Sequence, residues 1–155
     1  MSADGEIAIY VDGDACPVKN EIYRIAERHR LPVHVVSNSW LRVPDNPLFQ
    51  LHSVPIDPDA ADDWIAERAG PGALVVTADI PLAARCVSAG ATVISPTGKP
   101  FAEGNIGMAL AMRDLNAHLR ETGMLTPGGA GFTRADRSRF LNALENALQK
   151  LKRGR

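Results

Sequence analysis

Residues 73–95 read ALVVTADIPLAARCVSAGATVIS, and their pattern decides the fold class. The run 73–77 is apolar and β-branched, as an inner strand requires. Pro81 suits the first turn of a helix, where its missing N–H has no intrahelical partner. Gly90 ends that helix, and 91–95 (ATVIS) returns to strand character. A strand, a helix and a second strand at this spacing form a βαβ unit with parallel strands.

The N-terminal side repeats the arrangement. Residues 6–11 (EIAIYV) read as a buried strand stopped at Asp12-Gly13-Asp14. From Pro17 a helix carries Val18, Ile22, Ile25 and His29 on one mostly apolar face, and Pro32 breaks it before a strand over 33–37. Segment 38–50, with Pro44 and Pro47, reads as a loop; 51–54 as a short strand; 59–69 as a helix closed by Gly70-Pro71-Gly72. The expected fold is α/β, with a mostly parallel central sheet between helices on both faces.

Two helices follow. In 105–120 the spacing of Met108, Met112, Leu115 and Leu119 predicts a stripe packed into the core, with Arg113, Asn116 and Arg120 on another face. In 134–151 the expected buried seam is Leu141, Leu144, Leu148 and Leu151. The glycine-rich segment 126–133 between them reads as a mobile connection. No repeat or linker divides the chain, so 1–155 is expected to be one domain, with a core over about 5–120 and a C-terminal helical extension over about 132–152.

The chain has 155 residues, 45% apolar and 23% charged, with a net charge of −1. That balance excludes a wholly disordered, collagen-like or supercharged chain. No apolar run approaches the roughly 18 residues of a membrane span, and the acidic start lacks the basic, then apolar, pattern of a secretory signal. Cys16 and Cys86 do not make a disulfide scaffold and read as reduced thiols of a cytoplasmic protein. Residues 1–98 hold 7 basic and 13 acidic side chains; residues 99–155 hold 10 basic and 5 acidic. Folding that joins the halves would set an acidic pocket beside a basic shelf, although solvated helix surfaces also explain late basic charge.

Ligands of open parallel sheets bind outside the carboxyl ends of the strands. Asp12 and Asp14 follow the first strand, Asp79 follows the 73–77 strand, and Asp62 and Asp63 open the helix after the 51–54 strand. Three strand ends on one edge each deliver a carboxylate, and the prediction is that they converge. Gathered carboxylates repel, and a hard divalent cation with oxygen ligands, Mg²⁺ or Mn²⁺, relieves this. The chemistry so favoured is metal-assisted attack of water on a phosphodiester. Each acid also has a plainer role: Asp79 or Asp59 as a helix N-cap, Asp62 and Asp63 as partners of a helix dipole, Asp14 as a turn residue.

Other chemistries lack their residues. Gly98-Lys99 is followed by Pro100, so there is no P-loop, and no G-x-G-x-x-G follows a strand, so no nucleotide cofactor is expected. His29, His34, His52 and His118 have no i,i+4 pairing and no Cys neighbours, which disfavours zinc. A D-x-D phosphatase is a competing reading, with Asp12 as nucleophile, Asp14 as general acid, Thr77 holding phosphate and Lys99 stabilising charge. Its late acidic pair is missing, because Asp62-Asp63 precedes Lys99.

The segments IYVDGDACPVKNEI, SNSWLRVP, VVTADIPLAARCVSAGATVISPTG, MRDL and GFTRADRSRFLNAL run in order through nearly the whole chain. Together they resemble the YaiI/YqxD family of bacterial proteins, which is similar to the PIN-like (NYN-related) nuclease superfamily. The resemblance implies a PIN-like three-layer fold, bound Mg²⁺ or Mn²⁺ and cleavage of RNA. It places Asp12, Asp62 and Asp79 as catalytic, metal-holding acids, with Asp14 as a further acid of this family's own motif. A fourth acid of many PIN domains has no counterpart in Ser95-Pro96-Thr97-Gly98-Lys99.

For an RNA-facing surface the candidates are Asn38, Arg42, Arg113, Arg134, Arg137 and the basic tail 150–155. Arginine forks suit phosphate oxygens. Trp40, between Asn38 and Arg42, either stacks on bases or packs its loop against the sheet. Thr133 and Asp136 have capping-box spacing, which gives Asp136 a structural role. The class opposed to an enzyme is an RNA- or ribonucleoprotein-binding module without turnover, and self-association is compatible with either.

Overall fold

A computed structural model describes residues 6–57, 59–121 and 132–154. Of the connection expected to be mobile over 126–133, residues 126–131 lie outside the described residues, as do the side chains of Leu119 and Arg120, and Arg155.

The chain runs β1 (Ala8–Asp12), a 3₁₀ turn (Gly13–Ala15), α1 (Lys19–His29), β2 (Val33–Ser37), β3 (Phe49–Ser53), α2 (Ala60–Arg68) and β4 (Ala73–Val76). It continues through α3 (Ile80–Ser88), β5 (Thr92–Ile94), β6 (Pro100–Phe101), α4 (Glu103–Glu121) and α5 (Arg134–Arg153). The strands form one sheet in the order β3-β2-β1-β4-β5-β6, parallel except for β6. β6 escapes a sequence reading because it is two residues long and starts with proline.

Alternation along the strands builds two cores. Ile9, Val11, Val33, Val35, Leu74, Val76 and Ile94 face α1 and α5, meeting Ile22, Ile25, Phe140, Leu144 and Leu148. Val36, Val75 and Val93 face the other way, towards Ile65 of α2 and Leu82, Ala83 and Cys86 of α3. The result is three layers, as the sequence predicts. α5 is part of the core itself: its fully buried residues are Phe140, Leu144 and Leu148, while Leu141 and Leu151 pack only at the edge. Thr133 and Asp136 form the expected capping box at its start. Both cysteines are buried and free.

The methionine stripe departs from expectation. α4 meets α3 through Ile106 and Ala109, and Met108 (70% exposed), Met112 and Leu115 point to solvent. The helix is apolar on more than one side, so periodicity cannot tell which side the protein covers.

The histidines hold a second surprise. His34 and His52 lie diagonally on neighbouring strands, with Nδ1 of one 2.9 Å from Nε2 of the other. Tyr10 stacks on His34, and Trp64 lies over His52. Burial depresses the pKa of both histidines, with His52 and Arg68 adding to the effect on His34 and Arg68 to that on His52.

Candidate functional site

The strand order reverses between β1 and β4. The chain leaves β1 towards β2 and leaves β4 towards β5, which opens a crevice at their carboxyl ends. Asp12 is the last residue of β1. Val11 is in register with Val76, so Asp12 stands level with the residue after β4, Thr77.

Thr77 links the two sides. Its hydroxyl, 1% exposed, donates to Oδ2 of Asp12 at 3.0 Å and accepts the Asp79 N–H at 3.0 Å. Asp79 in turn caps α3, with Oδ1 accepting the Leu82 N–H at 2.9 Å. The capping role is therefore real, and it is met by one oxygen of this acid.

Asp62 enters from the first turn of α2. Burial pushes its carboxyl up to about 6; the charges of Asp79, Asp12 and Asp59 add to this, and Arg85 opposes it. Asp12 is raised too, chiefly by burial and further by Asp79 and Asp14, while the Thr77 hydrogen bond works against the rise. Mutual effects of this kind require that the acids share one region. Asp63, one residue on, turns away and pairs with Arg85 at 2.9 Å. Asp59 occupies the N-cap position of α2, yet its side chain makes no capping bond, because its backbone is already helical rather than extended.

Asp14 sits at the rim and holds the loop after β2. Its Oδ1 accepts from the hydroxyls of Ser37 (2.5 Å) and Ser39 (3.3 Å), and its Oδ2 accepts the Asn38 N–H at 3.0 Å. Gly13 makes this possible: a Cβ there would lie 2.8 Å from Cγ1 of Val35 and 3.0 Å from the Val36 carbonyl oxygen. The Asp-Gly-Asp turn is thus pressed against β2, with an acid on each side.

The surface candidates divide. Asn38 and Arg42 are exposed in the loop that Asp14 anchors, and Arg113 is exposed on α4. Trp40 is 77% exposed, so it does not pack its loop against the sheet. Arg137 is engaged at home, donating to Oε2 of Glu21 (3.1 Å) and the Pro17 carbonyl (3.2 Å), with its guanidinium over the Phe132 ring. Arg134 and residues 150–154 other than Leu151 are exposed along α5. Thr77 as the link between the acids was not legible. Its bond to the Asp79 N–H is a local hydroxyl turn, but its bond to Asp12 spans 65 residues.

The family profile described as "Uncharacterized BCR, YaiI/YqxD family" matches residues 10–150. The chain belongs to the YaiI/YqxD family. Among its relatives is a "UPF0178 protein" of Rhodopseudomonas palustris (strain HaA2), 58% identical over all of this chain and 94% of its own. A "UPF0178 protein" of Nitrobacter winogradskyi is 56% identical over 95% of this chain and 94% of its own. Another, of Parvibaculum lavamentivorans, is 57% identical over 94% of this chain and 95% of its own. No solved structure matches the chain significantly. Among the described residues no helix is long and apolar enough to cross a membrane.

The acids fit a hard cation by chemistry more than by closure. All are oxygen donors, and burial together with the neighbouring acids raises the pKa of Asp12 and Asp62, the charge imbalance that a divalent cation relieves. Among the described residues, no three His, Cys, Asp or Glu side chains stand close enough together to hold a metal ion between them. Mg²⁺ suits such an open arrangement, since it keeps several waters and takes one or two carboxylates.

Proposed function

We propose that this protein is a divalent-metal-dependent phosphodiesterase that hydrolyses RNA, with a PIN-like active site at the β1/β4 crevice. The observation that carries the reading is the Asp62 carboxyl, held up at about 6 beside Asp79 and Asp12 at the switch point of a parallel sheet. Structural acids are normally paired with cations. Here Thr77 and the α3 backbone order two of them without neutralising either.

Asp12, Asp62 and Asp79 would hold Mg²⁺ or Mn²⁺, which when bound polarises a phosphoryl oxygen and lowers the pKa of a bound water. The chain itself supplies orientation. Thr77 fixes the Asp12 carboxylate, the α3 N-terminus fixes Asp79, and Asp14 fixes the loop that carries Asn38 and Arg42. Asn38, Arg42 and Arg113 would meet the phosphates of the strand. Arg137, tied to Glu21, would act chiefly by holding α5 against α1.

A D-x-D phosphatase needs Thr77 to hold phosphate, yet that hydroxyl is buried and committed to Asp12. The test of the nuclease reading is single-stranded RNA incubated with Mn²⁺ or Mg²⁺, using wild type, Asp12→Asn and Asp79→Asn. Wild type is expected to cut, and both variants to lose about a hundredfold or more. RNA bound but left whole would make the protein a binding module, and cutting that survives both substitutions would come from a contaminant.

A further inference from the structure

Two hollows share a wall beside the start of α3. One, of about 390 Å³, is lined by Pro17, Ala78, Ile80, Pro96, Phe101 and Phe132 beside the polar turn that ends at Lys99. The other, of about 360 Å³, runs along α4 past Asn105, Met108, Met112, Arg113 and Asn116. Ile80 and Lys99 line both, so the hollows lie side by side with these two residues between them. Ala78 and Ile80 flank Asp79, which places the first hollow next to the acids.

The trough alternates in character. An apolar recess near Asp79 is followed by a cation at Lys99, a thioether surface at Met108 and Met112, and a second cation at Arg113. Met108 and Met112 are exposed, and neither packs against the core that Ile106 and Ala109 join. Among the described residues, the acid that Arg113 approaches is its neighbour Asp114, at 3.5 Å and one residue away, where side chains on a helix do not face each other. Apolar faces separated by single positive charges match a single-stranded polynucleotide, whose bases and phosphates alternate.

We infer that the RNA strand leaves the carboxylates across Lys99 and along α4, with one base in the recess between Ile80 and Phe132. Lys99 takes the first phosphate beyond the acids, Met108 and Met112 support the next bases, and Arg113 takes a later phosphate. The inference rests on the nuclease reading and adds to it the direction of the strand. It selects Lys99 and Arg113 over Arg137, whose guanidinium is already held by Glu21.

The test is fluorescence anisotropy of a labelled single-stranded RNA oligonucleotide with Mg²⁺, in an Asp12→Asn background that stops turnover. Lys99→Glu, Arg113→Glu and Met112→Glu change exposed side chains, and Arg24→Glu, exposed on α1 in the opposite layer, is the control. Lys99→Glu and Arg113→Glu are expected to weaken binding about tenfold, each flattening the salt dependence by roughly 0.7 in log–log slope. Met112→Glu is expected to weaken it as well, and Arg24→Glu to leave it unchanged. If wild type cuts RNA and all four variants bind it equally, the path is wrong and the nuclease reading stands. If the protein neither binds nor cuts RNA, both fall. A dimer by light scattering that Met112→Glu splits, with RNA affinity unchanged, would give the α4 face to a second copy of this chain and overturn the inference.

Discussion

The Thr77 hydroxyl donates to Oδ2 of Asp12 across the junction of β1 and β4, the place where the strand order turns. Because the same oxygen also receives the Asp79 N–H, one buried hydroxyl sets the position of two acids, one at the end of β1 and one at the N-cap of α3. It also restrains the Asp12 pKa against burial and the neighbouring charges of Asp79 and Asp14. The pair is the hinge between fold and site, since sheet register brings the two residues level and the hydrogen bond then orients the acid.

Thr77→Val keeps the shape and removes the bond. It leaves an acceptor on Asp12 and the Asp79 N–H without their partner, which costs about 1–3 kcal/mol. For a chain of this size that is a fall in Tm of roughly 2–4 °C per kcal/mol. Thr77→Ser restores the hydroxyl and should recover most of the loss in calorimetry. Recovery by valine instead would remove the bond from the account.

The Asp62 carboxyl titrates near 6 in the fold against an ordinary value of 3.8. The folded state therefore binds the extra proton between those values, and stability contributed by this residue falls as pH rises through that window. Metal-free Asp62→Asn should have a higher Tm than wild type at pH 7.5, with the gap closing below about pH 4, where both states are protonated. Thermal melts across pH, with the divalent cation chelated, decide this. A gap that stays constant with pH would show that Asp62 carries no raised pKa.

Gly13→Ala pushes a methyl group against Val35 and the Val36 carbonyl. The Asp-Gly-Asp turn must shift, moving Asp12 and Asp14 relative to β2. Overpacking of this kind costs roughly 1–3 kcal/mol, and RNA cleavage should fall more steeply than stability. Comparison of activity with Tm for the same preparation checks it; full activity at a lowered Tm would mean that the turn does not position the acids.

Phe140 is fully buried where α5 meets the sheet and α1. Phe140→Ala should cost about 3–5 kcal/mol, a loss large enough to show in urea denaturation as a lower midpoint. A loss below about 1 kcal/mol, typical of surface changes, would mean that α5 is an appendage rather than a layer of the core.

Much of this architecture was legible because apolar, β-branched runs bounded by Gly and Pro leave few alternatives. The strand expected over 33–37 has those same ends in the structure, Val33–Ser37. The expectation that Asp12, Asp62 and Asp79 share an edge comes from a rule of topology, that parallel strands end on a common side, and the charges of Asp79 and Asp12 do act on Asp62. What sequence hid depends on register or on the choice between two apolar helix faces. His34 and His52 meet only once β2 and β3 are aligned. The α5 seam runs through Phe140 and Leu144 rather than Leu141, since a shift of one residue turns a helix face by about 100°. Met108 and Met112 share their helix with Ile106 and Ala109, and only the position of α3 settles which pair is covered.

Hydrolysis at the β1/β4 crevice requires that its acids hold a divalent cation. Crystals soaked in Mn²⁺ and measured for anomalous scattering test it most directly. The expected result is a peak bounded by the carboxylates of Asp12, Asp62 and Asp79, absent from crystals of Asp79→Asn. A fully soaked crystal with no peak at those three side chains, or with its manganese elsewhere on the protein, would contradict it.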